Sequence, residues 1–202
     1  MKKTLALYAG SFNPVHAGHI HVIETAKQIF GDDSVGILLA DNPQKTYKVS
    51  KDKRSDWLWK AVGMRPYYVD GFVCDFCDEK LREIAYGEYT WEQIVLIRGV
   101  RSGTDLETET PMAGYNYNIS HGKYPTIFLP SPAPLRDLSS SAVRTIAVMG
   151  WNRFFETLYK PYTPKNLQYS TWVDLARDIW NTYCTQEAKP DGHETNIEAV
   201  HG

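Results

Sequence analysis

A chain of 202 residues, 43% hydrophobic and 23% charged, has room for one large domain, or one domain and an appendage, around a sizeable core. Its 22 basic and 24 acidic residues leave a net charge of −2 and no positive excess of the kind that binds nucleic acid, so nucleic acid is excluded as a partner. No window approaches about 18 consecutive apolar residues, and MKKTLALYAG lacks the apolar segment and cleavage site of a secretory signal, so the expectation is a cytoplasmic protein with no membrane partner.

The first apolar run, LALYA at 5–9, reads as a strand and leads into 10-GSFNPVHAGH-19. A helix follows, with Ile20, Ile23, Ala26 and Phe30 recurring at spacings of three and four, Val22 and Ile29 widening the stripe, and Gly31 as the C′ glycine. With Gly10 making a tight turn, His16 and His19 stand at the mouth of this helix. Backbone N–H groups and two imidazoles at the positive end of a helix dipole stabilise an anion such as phosphate. Two other readings stand beside that one: imidazoles that satisfy turn carbonyls, and a zinc site, for which H-x-x-H lacks a third ligand nearby.

SVGILLA (34–40) reads as the second strand, and NPQK (42–45) follows it. KDKRSDWLWKAV (51–62) reads as an amphipathic helix, YYVDGFV (67–73) as the third strand and CDEKLREIAYG (77–87) as a further helix. Cys74 and Cys77 have the spacing of a redox or zinc pair. With no second pair and no histidine close by, they read as two small apolar residues at a helix start, and an odd total of three cysteines suits a reducing compartment.

The fourth strand, QIVLIR (93–98), runs into 98-RGVRSGTDLETE-109. Arg98 and Arg101 flank a glycine at a strand end, where guanidinium groups grip phosphate through paired hydrogen bonds; the alternative is pairing with Asp105, Glu107 or Glu109. In ETETPMAGYNYNI (107–119) Pro111 lacks a backbone donor, so a helix there is expected to begin near it or kink at it. TIFLP (126–130) is the fifth strand. After the proline-rich PSPAPLRD comes LSSSAVR (138–144), opening a helix with Val143, Ile146 and Ala147 on one face and Gly150 closing it. One of Ser139, Ser140 and Ser141 serves as N-cap, and the others offer hydroxyl and amide donors to an anion.

Beyond Gly150 aromatics and prolines dominate to about 170. TWVDLARDIWNTY (171–183) then shows a helical stripe of Trp172, Leu175, Ile179 and Tyr183, opened by the capping pattern Thr171-x-x-Asp174. The expected fold is α/β: a doubly wound, Rossmann-like five-stranded parallel sheet with a C-terminal helical extension. The expected divisions are 1–150, an aromatic-rich helical segment at 151–186 and a disordered polar tail at 187–202. In such a sheet ligands collect beyond the carboxyl ends of the strands, where the histidine, arginine and serine segments all fall.

These segments resemble a known family. GSFNPVHAGH matches the HxGH signature of the nucleotidyltransferase superfamily. RGVRSGTDLETE resembles the RGLRxxxDFEYE segment of the bacterial phosphopantetheine adenylyltransferases, LSSSAVR their ISSSxVR and NPQK their NPSK, in the same order over residues 4 to about 150. The resemblance makes 1–150 the nucleotidyltransferase domain. It implies transfer of AMP from MgATP to 4′-phosphopantetheine, giving dephospho-coenzyme A and pyrophosphate in coenzyme A biosynthesis, with Mg2+ arriving on ATP, no metal held by the protein, and a homo-oligomer, a hexamer in the family.

The catalytic set it implies is His19, donating to the α-phosphate, Lys45, bridging the phosphates of both substrates, and Arg98, holding the acceptor. Ser11, in place of a threonine, reaches the acceptor phosphate. Around ATP it places Ser11, Phe12, His16, His19, Gly99, Val100 and Arg101, with Glu109 at the ribose and Ser139, Ser140 and Ser141 at the distal phosphates. Phe72 and Val73 wall the pantetheine arm. The chain departs from the family at Thr46, where a second lysine is usual, at Thr108, at Pro111, and at Leu135 or Arg136 in a loop one residue longer. Two alternatives remain: an adenylyltransferase for another phosphate acceptor such as nicotinamide mononucleotide, and a non-catalytic nucleotide-binding regulator whose aromatic tail binds a partner.

Overall fold

Five parallel strands form the centre of the molecule in the computed structural model, which describes residues 3–41, 46–85, 91–164 and 167–184. They are β1 (Thr4–Gly10), β2 (Val35–Ala40), β3 (Tyr67–Val69), β4 (Gln93–Val100) and β5 (Thr126–Pro130), in the order β3-β2-β1-β4-β5. The helices are α1 (Ala17–Phe30), α2 (Lys51–Val62), α3 (Val73–Ala85), α4 (Gly103–Ile119), α5 (Ser140–Ala147), α6 (Trp151–Leu158) and α7 (Tyr169–Cys184). The order reverses between β1 and β4, as expected of a doubly wound sheet.

Alternation along β1 divides the core. Ala6 and Tyr8 face α1, α2, α5, α6 and α7, while Leu5, Leu7 and Ala9 face the opposite layer with Cys74 and Cys77 of α3. Both faces are covered, which is why the central strands read as unbroken apolar runs rather than alternating ones. Each fully buried aliphatic side chain in them contributes about 1.5–3 kcal/mol.

Several boundaries differ from expectation. YYVDGFV is a strand only to Val69; the chain turns at Asp70 and Gly71, and α3 begins at Val73. Cys74 and Cys77 therefore lie in the first turns of α3, buried at 3% and 0% exposure, as the helix-start reading expects. Helix α4 begins at Gly103, capped by the Ser102 hydroxyl accepting from Asp105 N, and continues through Pro111, which lies inside the helix and lacks the backbone donor of that position rather than beginning it. Ile29 is 57% exposed and does not widen the α1 stripe. Gly150, at φ 96°, precedes α6 rather than closing α5, and Thr171 lies inside α7 because that helix starts two residues earlier.

The extension packs into the same core as α1 and α2. Phe154, Phe155, Tyr159, Trp172, Leu175 and Ile179 are all buried there, and the Trp172 and Trp180 indoles donate to Tyr159 O and Ala147 O at 2.8 and 2.9 Å. None of the described helices is long and apolar enough to cross a bilayer. The tail expected at 187–202 lies outside the described residues.

Candidate active site

The turn after β1 is built around an aromatic ring. Phe12 adopts φ 46°, and its Cζ sits 3.1 Å from where a Gly10 Cβ would be, so Gly10 makes room for the ring while Phe12 takes the left-handed conformation. That corrects the expected role of Gly10. Phe12 is 1% exposed and packs edge-on against Tyr8 and His19, with centroids 5.3 and 4.9 Å away, forming the floor beneath the site.

Both histidines cap α1. His16 Nδ1 accepts from Gly18 N at 3.2 Å, and His19 Nδ1 accepts from His16 N at 3.3 Å, a capping box made of imidazoles. They satisfy amides, not carbonyls. Burial pushes the His19 pKa down to about 3, helped by the charge of Arg101; burial, His19 and Arg101 hold His16 well below the ordinary value. Each ring is thus neutral at pH 7 with its proton on Nε2, a polar donor without charge.

Positive charge comes from β4. Arg98 donates from Nη1 to Ala9 O at 3.1 Å, and its Nε lies 3.5 Å from Glu109 Oε2. Arg101 grips Asp105 in a fork, Nε to Oδ2 at 2.6 Å and Nη2 to Oδ1 at 2.9 Å, and donates to Leu138 O. Burial alone would raise the Asp105 pKa, but hydrogen bonds and charge from Arg101 outweigh it and hold the carboxyl down. Both arginines therefore face acids, Arg101 closely bound to Asp105 and Arg98 the looser cation. Gly99 between them is required by contact: a Cβ there would lie 2.7 Å from Val22 Cγ2, so only glycine lets β4 approach α1.

The three serines at the start of α5 each have a structural partner. Ser139 Oγ accepts from Ala142 N at 3.0 Å, Ser140 Oγ donates to Pro14 O at 2.8 Å, and Ser141 Oγ accepts from Arg144 Nη2 at 3.0 Å. What this segment offers a ligand is the amide end of a helix dipole.

These pieces meet around one cavity of about 660 Å³ at the carboxyl ends of β1 and β4, where the strand order reverses. Ser11, His16, His19, Arg98, Gly99, Arg101, Glu109 and Ser139, Ser140 and Ser141 all line it. Phe12 lies beneath, and Val100 is not in the wall. Phe72 and Val73 are not in the wall either: β3 ends too early, and Phe72 stands 68% exposed where α3 begins. Lys45 falls outside the described residues; Thr46, Tyr47 and Lys48 line the cavity. No group of three or more His, Cys, Asp or Glu that could hold a metal occurs among the described residues.

Sequence reasoning missed Arg54, Asn13 and Tyr183. Arg54 is 1% exposed; it donates to Ser11 O at 2.7 Å and Asp41 Oδ1 at 2.8 Å, pinning both the first turn and the end of β2. In KDKRSD it looks like one more charge on a solvated helix face, and no local signal distinguishes it. Asn13 and Tyr183 line the cavity from segments 170 positions apart.

The family model described as cytidylyltransferase-like matches residues 7–146. The chain is 32% identical over 151 residues to a phosphopantetheine adenylyltransferase of Micrococcus luteus, covering 72% of this chain and 86% of that protein. It is 31% identical over 170 residues to one of Brucella ovis, covering 80% and 92%. Among solved structures it resembles a nicotinic acid mononucleotide adenylyltransferase of Plasmodium falciparum complexed with NaAD, with a TM-score of 0.53 and 12% identity over 89% of this chain and 98% of that one, a likeness of fold.

Proposed function

This chain belongs to the cytidylyltransferase-like family of nucleotidyltransferases, and from that premise we propose that it is a pantetheine-phosphate adenylyltransferase. A phosphate oxygen of 4′-phosphopantetheine attacks the α-phosphorus of MgATP. The bond from that phosphorus to the bridging oxygen breaks, dephospho-coenzyme A forms, and pyrophosphate leaves with the metal. No protein nucleophile is needed, so the work is positioning and stabilisation of charge.

The observation that carries the reading is that His19, Arg98 and the amide end of α5 share one cavity at the point where the sheet reverses. His19 donates from neutral Nε2 to the α-phosphate oxygens, whose charge grows in the transition state. Arg98, tied loosely to Glu109 at 3.5 Å, turns to the acceptor phosphate. The start of α5 holds the distal phosphates through backbone amides, and Ser11 reaches the acceptor. Lys45, expected to bridge the two substrates, completes the set. Mg2+ enters as part of the nucleotide: Asp105 and Glu109, the carboxylates lining the cavity, are partnered by Arg101 and Arg98, which suits a metal held by phosphates.

The chain also works as a homo-oligomer. None of the α4 side chains is buried, and Leu106, Met112, Tyr115, Tyr117 and Ile119 are between 42% and 63% exposed along it, an apolar surface for a second copy. Of the described extension only Tyr183 reaches the cavity wall, which leaves room for substrates. A pyrophosphate-release screen with 4′-phosphopantetheine, nicotinamide mononucleotide and nicotinic acid mononucleotide tests the reading. The first is expected to be turned over fastest; preference for a mononucleotide would overturn the proposed acceptor.

A further inference from the structure

Helix α7 lies outside the residues matched by the family model, yet it contributes Tyr183 to the cavity. Tyr183 is 5% exposed, and its hydroxyl donates to Asn13 Oδ1 at 2.5 Å. Asn13, 7% exposed, stands in the turn between Ser11 and His16, and its own carbonyl accepts from Arg144 of α5. The turn that presents Ser11 and the two imidazoles is therefore gripped at one residue by two helices. Burial raises the Tyr183 pKa against the opposing charges of Arg144 and Arg54, so the hydroxyl remains a donor at neutral pH.

Helix α7 is itself set in register. Asp178 accepts from Lys53 Nζ at 2.7 and 2.9 Å and from Trp57 Nε1 at 3.1 Å, with Lys60 Nζ 3.4 Å away. The Trp57 and Tyr183 ring centroids are 6.0 Å apart. Trp57 belongs to the helix that also carries Arg54, whose guanidinium holds Ser11 O. Ser11 and Asn13 are thus both fastened to the α2–α7 pair.

We propose that Tyr183 is a positioning residue for the adenylyl-transfer site, holding the 11–13 turn in its working geometry through Asn13 Oδ1 and so making the C-terminal helix part of the catalytic unit. The inference rests on the function proposed above, since it takes phosphates to be what the turn binds. Tyr183 acts through Asn13 and need not touch the reacting atoms.

Tyr183→Phe keeps the ring and removes the donor. It is expected to lower kcat/KM for pyrophosphate release, and ATP affinity measured by calorimetry, by about tenfold. Asn13→Ala is expected to give a loss of similar size, and the double variant to be no worse than Asn13→Ala alone. Wild-type ATP affinity and turnover in Tyr183→Phe would overturn the proposal. So would losses that multiply in the double variant, or an effect confined to Tm. A wild-type chain that binds ATP yet releases no pyrophosphate with 4′-phosphopantetheine sinks the proposed function and leaves Tyr183 to be judged by affinity; one that binds no ATP sinks both.

Discussion

The imidazoles of His16 and His19 stack with centroids 3.8 Å apart while each accepts a backbone N–H through Nδ1, an arrangement that both rings can keep only while neutral. The folded-state pKa of His19 is depressed to about 3, and that of His16 also lies well below its ordinary value. Between that depressed range and the ordinary value of about 6.5 the unfolded chain binds more protons than the folded one, so stability is full above about pH 6.5 and falls as the pH drops below it. Urea midpoints are predicted to decline steadily from pH 7 to pH 5. Over the same range the kcat/KM profile is predicted to show no inflection near pH 6.5 that His19→Ala removes.

Gly99 faces Val22 with no space for a methyl group. Gly99→Ala is predicted to cost about 1–3 kcal/mol in denaturant unfolding, since neither β4 nor α1 can retreat from a packed core. Adding Val22→Ala removes the facing methyl and is predicted to recover part of that loss. Equal stability of Gly99→Ala and wild type would show that the β4–α1 contact is looser than 2.7 Å implies.

Arg54 holds a carbonyl of the first turn and a carboxylate at the end of β2 together. Lysine carries the charge on a single ammonium and cannot reproduce a planar fork across both. Arg54→Lys is predicted to lower stability by about 2 kcal/mol and to reduce kcat/KM as the Ser11 turn loosens, checked by parallel urea titration and turnover.

Burial pushes the Cys77 thiol up to about 12, and the Cys74 thiol is also raised by burial. Cys184, intermediate in exposure, is predicted to react first with iodoacetamide in the native protein, with Cys74 and Cys77 labelled only on unfolding. Mass spectrometry of the labelled peptides checks the order, and fast labelling of Cys77 in the native state would contradict its burial.

What could be read from the sequence was what repeats or stays local. The runs at 5–9 and 94–97 are uninterrupted because both faces of the sheet are covered there, and Ile20, Ile23 and Ala26 keep helical spacing because α1 lies on one face. The apolar run YYVDGFV hid a strand end, a turn and a helix start, because β3 is a short edge strand and the exposed Tyr67, Tyr68 and Phe72 read as if they belonged to one buried strand. In the site, the histidine, arginine and serine segments were visible as charge and glycine at strand ends. Arg101 closing on Asp105 is a local i,i+4 contact that the sequence offered as one alternative, whereas the Ser140 hydroxyl reaching Pro14 O and the support of the first turn by Arg54 and Tyr183 depend on distances between segments remote in the chain.

The most direct measurement is pyrophosphate release by the wild-type chain and by His19→Ala with MgATP and 4′-phosphopantetheine, alongside far-ultraviolet circular dichroism. Wild type is predicted to release one pyrophosphate for each dephospho-coenzyme A formed. His19→Ala is predicted to be slower by about 10²–10³-fold with its secondary structure retained, since one donor to developing charge is lost while the cap costs only about 1 kcal/mol. A wild-type protein that binds both substrates and releases no pyrophosphate, or a His19→Ala variant that turns over at the wild-type rate, would contradict the account.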